Sequence, residues 1–161
     1  MAKRGLRTDG NWYKGNLHLH STNSDGRKTP EEIAQIYRDH GYQFVSFTEH
    51  EHYTHNSGLS TEDFLVIPGV EFACDQPEPW RIYHLLGIGR HAAGKEASAE
   101  NGFADGQRFA MKKWDGLETI QSTVEEIHAA NNLAVFNHPH LVPAGAERFR
   151  GSSGLFCHGD L

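Results

Sequence analysis

The run Gly15-Asn16-Leu17-His18-Leu19-His20-Ser21-Thr22-Asn23-Ser24-Asp25-Gly26 constrains this chain more than any other stretch. Leu17 and Leu19 alternate with His18 and His20. In a strand, successive side chains leave opposite faces, so both imidazoles would leave the same one. Two neutral imidazoles on a rigid strand are half of a metal site. Asp25 follows on a Ser-Asp-Gly turn that can fold its carboxylate back toward the same point. Taken alone, the stretch also reads as a strand with two solvated histidines and an ordinary turn.

The following segments set the fold class. Thr29-Pro30-Glu31-Glu32 is a helix start, with Thr29 as cap, Pro30 at the first helical position and Glu32 completing a capping box. Ile33, Ile36 and Tyr37 fall on one face of that helix, and Gly41 ends it. Residues 44–48 read as a strand leading into Glu49-His50-Glu51-His52. Strand, helix and strand make a βαβ unit, so the strands are expected to be parallel.

A third strand is expected over 64–72, broken by Pro68-Gly69 and carrying Glu71 among apolar neighbours. Residues 81–89 read as a fourth strand, with His84 inside it. Residues 91–116 are poorly patterned and read as a long, partly helical excursion. Leu117, Ile120, Val124 and Ile127 form a helical stripe, and 133–136 a fifth strand running into Asn137-His138-Pro139-His140. In the lead-in, Trp12 and Tyr13 are expected to cover an end of the core.

Composition narrows the function. Twelve histidines in 161 residues favour a metal-rich site. A formal charge of −6 with no basic stripe argues against nucleic acid as partner. Cys74 and Cys157 form no CxxC pair, which excludes a cysteine-based zinc site. No signal-peptide pattern or membrane-length apolar run occurs, so a cytoplasmic location is expected. The length suits one domain over 1–161, with 141–161 an irregular tail.

Ligand-type residues sit at or near the strand ends: His18 and His20, His50, Glu71 and His138, with His84 inside a further strand. Sites in α/β barrels and open α/β sheets form at the carboxyl ends of parallel strands. Imidazole and carboxylate suit zinc, iron or manganese. Glu71, with two oxygens, can bridge two ions, and cations would offset the cost of burying it. Each residue has a plainer reading. His50 sits in a run that reads as a solvated acidic loop. Glu71 reads as a buried salt-bridge partner, His84 as a core histidine, and His138 as the close of a strand.

The ordered series His-x-His, Ser-Asp-Gly, Thr-Glu-His, Pro-Gly-Val-Glu, His-Leu-Leu-Gly-Ile-Gly and Asn-His-Pro resembles the polymerase-and-histidinol-phosphatase (PHP) superfamily. Trp-Tyr-Lys-Gly-Asn-Leu-His-Leu-His-Ser and Asn-His-Pro-His are most similar to its CehA/McbA-like metallohydrolases. The resemblance spans roughly residues 12–140 and implies a distorted (β/α)7 TIM-like barrel with two or three divalent ions. It implies His18 and His20 on the first ion, Glu71 bridging the first and second, His84 and His138 on the second, and Asp25 and His50 on a third. The implied chemistry is hydrolysis of a small phosphoester by a metal-bound hydroxide, with carbamate or ester cleavage in the CehA branch.

The chain departs from that pattern. It has no late Asp-x-His motif, which the family uses to complete the first and third sites. Its five expected strands fall short of a barrel, so a partial barrel lacking the last strands is expected. An exposed strand edge would invite association. The tail after Gly151 is not strand-like, and we expect a frameshift that cut a longer protein short. A weak or inactive metal-binding relative is then the competing expectation.

Overall fold

The computed structural model describes residues 10–75, 83–90 and 102–137. Its strands are β1 (Gly15–Leu19), β2 (Phe44–Phe47), β3 (Leu65–Asp75), β4 (His84–Gly89), β5 (Lys112–Lys113) and β6 (Asn132–Asn137). Its helices are α1 (Pro30–Asp39) and α2 (Leu117–Ala129). One mixed α/β sheet runs β1-β2-β3-β4-β6, with β5 pairing β3. His138, Arg81, Cys157 and the tail lie outside the described residues.

The first βαβ unit forms as its sequence dictates. The Thr29 hydroxyl accepts from the Glu32 amide while the Glu32 carboxylate accepts from the Thr29 amide. Both satisfy helix-terminal donors that α1 itself cannot reach. Ile33 and Ala34 then pack against Leu19, Val45, Phe47, Phe64 and Val66. Burying each large side chain of this set contributes about 1.5–3 kcal/mol.

β1 is bulged. Asn16 faces Val45 and Leu19 faces Phe47, so three steps on β1 match two on β2. Leu19 therefore enters the core while Leu17 is exposed, and the strand ends one residue before His20. The simple alternation of two leucines with two histidines is corrected accordingly.

β3 is continuous through Pro68-Gly69 rather than broken there. Its parallel ladder with β2 ends at Pro68, and its ladder with β4 begins at Gly69. Proline lacks an N–H donor, and the handover between neighbours is where that loss is tolerated. β1 and β2 are parallel, as the βαβ unit led us to expect, whereas β4 runs antiparallel to both β3 and β6, unlike the strands of the barrel that the resemblance implies. Consequently His84 opens β4 rather than lying inside a strand, and stands at the rim where β6 ends.

α2 covers Val70, Phe72 and Leu85 through Ile127, with Tyr53 and Phe103 in the same cluster. The expected stripe is off by part of a turn: Leu117 is 80% exposed, whereas Thr119 and Thr123 are buried. Those threonines tolerate burial because Thr123 Oγ1 donates to the Thr119 carbonyl and Thr119 Oγ1 to that of Lys113. Trp12 and Tyr13 are exposed and do not cap the core. Residues 102–116 contain β5 and no helix. Among the described residues, no helix is long and apolar enough to cross a membrane.

The sheet curls strongly. β1 and β6 stand at opposite ends of the strand order, four steps apart. In a flat sheet they would be about 19 Å apart, at about 4.8 Å per step. Yet Asn137 at the end of β6 lies within hydrogen-bond distance of His18 on β1. The result is a half-barrel whose two edges converge at one rim.

Candidate metal centre

Glu71 is the middle of the site. Val70 and Phe72 face α2, so alternation turns Glu71 to the other face of β3. There it is 1% exposed. β4 pairs His84 with Ala73, and β6 pairs Asn137 with His84, which brings both to that face. An isolated parallel bridge sets His50 beside Glu71.

The two carboxylate oxygens of Glu71 meet different imidazoles. Oε1 is 2.8 Å from His84 Nδ1 and 3.6 Å from His18 Nε2. Oε2 is 3.1 Å from His20 Nε2 and 3.4 Å from His50 Nδ1. Asn137 Nδ2 donates to Oε1 at 2.9 Å. The rings crowd one another, with centroids 4.9 Å apart for His18 and His20 and 4.5 Å for His20 and His50.

Asp25 reaches the cluster from the turn after β1. Its Oδ1 is 3.3 Å from His20 Nδ1 and its Oδ2 is 3.7 Å from His50 Nε2. The turn is tight: Ser24 and Gly26 amides both donate to the Ser21 carbonyl. A Cβ on Gly26 would lie 2.5 Å from the His20 carbonyl oxygen, so no other residue fits without moving backbone.

Burial lowers the pKa of His20, but the hydrogen bond and charge of Glu71, with Asp25 and Glu49, outweigh it and hold the ring above its ordinary 6.5. A buried carboxylate among imidazoles is costly unless positive charge compensates it. Three groupings place donor atoms within 4.8 Å of one another: His18, His20 and Glu71; His20, Asp25 and His50; His50, Glu71 and His84. Donors on a tetrahedral zinc ion stand about 3.3 Å apart at usual bond lengths. The contacts above straddle that spacing, so the donor set fits divalent cations in number, type and distance.

All six described candidates, His18, His20, Asp25, His50, Glu71 and His84, thus stand together. Arg90, a charged residue at the other end of β4, is exposed and about 20 Å from His84 at 3.4 Å per residue, outside the site. His52 belongs to none of the three groupings.

Sequence reasoning gave no role to four residues that hold this site. Glu49 is not part of a solvated loop but fully buried, accepting from the Ser21 amide and from the hydroxyls of Ser21 and Ser24. Thr48 contacts His18, Ser24 contacts His20, and Asn137 joins His18 to Glu71. The available signal was an acid directly after an apolar strand, matched by a serine-rich turn needing an acceptor. Glu51 is structural as well, its Oε1 accepting from the Ala73 amide.

No family model matches the chain. The chain is distantly related to a phosphoribosyl 1,2-cyclic phosphate 1,2-diphosphodiesterase from Eggerthella lenta, at 29% identity over 116 residues. The match covers 68% of this chain and 43% of that enzyme, so the chain spans less than half the length of its curated relative. Among solved structures, an amidohydrolase from Chromobacterium violaceum with bound SO4 and no metal aligns with a TM-score of 0.40. That alignment has 22% identity and covers 47% of this chain and 28% of the amidohydrolase.

Proposed function

We propose that this chain carries the centre of a metal-dependent hydrolase of the PHP type, acting on a small phosphoester. The observation that carries the reading is Glu71: one buried carboxylate with four imidazoles 2.8–3.6 Å from its two oxygens. In this reading His18 and His20 share a first cation with Glu71. Glu71 and His84, with His138, take a second, and Asp25 with His50 a third. Zinc, manganese and iron all suit that donor chemistry. When bound, such ions lower the pKa of coordinated water toward neutrality and offset charge developing on a substrate.

The protein's own contribution is placement. Glu71 is held by the Asn137 amide and excluded from solvent, so its charge acts in a weakly screening medium. Asp25, exposed on its turn, forms the open side through which a substrate would enter. The activity of the distant relative, a cyclic phosphate diphosphodiesterase, supports a phosphoester over an amide or carbamate.

Metal analysis of freshly purified protein, paired with turnover of a generic aryl phosphate, tests the proposal. Two or three ions per chain with turnover is the expected result. Metal without turnover would reduce the chain to a binding module, and absence of metal would end the reading.

A further inference from the structure

We infer that two consecutive residues, Thr48 and Glu49, decide which nitrogen His18 and His20 each present to a cation. The inference rests on the metal-centre reading and deepens it.

His18 Nδ1 is 2.7 Å from Thr48 Oγ1. Thr48 is fully buried, with the Leu19 carbonyl 3.5 Å from its hydroxyl oxygen. The hydroxyl oxygen can accept from Nδ1 while its proton goes to that carbonyl. The other side of the ring fixes this sense and leaves the proton on Nδ1. His18 Nε2 meets Asn137 Nδ2 at 2.8 Å, and the same Nδ2 reaches Glu71 Oε1. A carboxylate oxygen only accepts, so this end of Asn137 is its donor end. Nε2 of His18 thus holds the lone pair, aimed into the cluster.

For His20 the connection is one residue longer. The Glu49 carboxylate accepts from the Ser21 amide at 3.0 and 3.1 Å and from the hydroxyls of Ser21 and Ser24. Ser24 has a second carboxylate within reach, Asp25 Oδ1 at 3.4 Å. Toward either acid the serine must donate, which leaves its oxygen to accept from His20 Nδ1 at 3.3 Å, and Asp25 Oδ1 faces the same nitrogen at 3.3 Å, a second acceptor for that proton. His20 Nε2 is left facing Glu71 Oε2, where a cation would replace a proton. Partners of this kind fix the tautomer and aim of a ligating imidazole. Thr48 and Glu49 are positioning residues: they act through the rings and touch no substrate.

The test loads protein carrying nitrogen-labelled histidine with a spin-active cadmium isotope and reads the cadmium–nitrogen couplings residue by residue. In the unaltered protein, coupling through Nε2 is expected at both His18 and His20. Thr48→Val, which keeps shape but removes the hydroxyl, should abolish or reroute the His18 coupling alone. Ser24→Ala, which leaves Asp25 Oδ1 on that nitrogen, should weaken or reroute the His20 coupling alone. Each variant should bind cadmium about 10- to 100-fold more weakly. Thr48→Ser, which restores the hydroxyl, should return the His18 coupling and the cadmium affinity. A general loss of folding would disturb both rings together and is distinguished in this way. Coupling through Nδ1, or variants with unchanged couplings and affinity, would overturn the wiring while leaving the metal centre intact. If the unaltered protein takes up no cadmium, the metal reading fails instead. The nitrogen shifts of metal-free His18 then decide the wiring, a protonated Nε2 overturning it.

Discussion

Asn137 Nδ2 lies 2.8 Å from His18 Nε2, although the two residues close opposite edges of the sheet. The same amide nitrogen holds Glu71. One side chain therefore joins the curvature of the sheet to the carboxylate at the centre of the site.

Replacing Glu71 by Gln keeps the shape and removes the charge that faces four imidazoles. Metal content should fall at least tenfold, and aryl phosphate turnover with it. Elemental analysis and a steady-state assay check this, and unchanged values would remove Glu71 as a bridge.

Gly26→Ala places a methyl group 2.5 Å from the His20 carbonyl oxygen and 2.6 Å from its carbon. Backbone atoms cannot step aside as a flexible side chain can. A loss of roughly 1–3 kcal/mol is expected, the usual cost of overpacking. Urea unfolding measures it, and metal affinity should drop in the same variant because Asp25 rides on this turn.

The raised pKa of His20 has two opposite consequences. In metal-free protein the protonated ring stabilises the fold fully below 6.5, and that contribution disappears as pH rises through the elevated folded value. Cation binding needs the unprotonated ring, so affinity weakens as pH falls, beginning above 6.5. Thermal melts of metal-free protein and zinc titrations on either side of that pH should trend in opposite directions.

Tyr53 is buried, and loss of hydration pushes its pKa up to about 12, partly offset by its hydrogen bond to Asn132 and reinforced by Asp105. An acid raised on folding contributes stability that is complete below its unfolded pKa and is lost as pH rises through the folded one. Between pH 10 and about 12 the protein should lose roughly 2–3 kcal/mol. Tyr53→Phe should flatten that alkaline decline in denaturant melts.

The sequence made some of this legible and concealed the rest. The capping box of α1 and the strand before His50 depend on neighbours within a few residues, and both were readable. The direction of β4 was not, because Pro77 and Pro79 in the connection mark a break without fixing which way the chain leaves it. The burial of Thr119 and Thr123 in place of Leu117 follows from hydroxyls finding carbonyls six and four residues back, which hydrophobic periodicity does not see. In the site, imidazoles and acids announced themselves by type. Thr48, Glu49, Ser24 and Asn137 did not, since their importance lies in what they hold, across separations of up to 119 residues in the Asn137–His18 pair.

The reversed course of β4 makes alignment, rather than strand length, the quantity that natural variation must protect. Gly87 sits where an added Cβ would be 3.2 Å from Val70, with Ile127 close behind, and this fit locks β4 against its neighbour. A slip by a single residue would swing His84 outward and turn Tyr83 or Leu85 toward Glu71. Damage to a tightly fitted patch beneath a helix would then silence chemistry at the distant mouth without altering any residue there.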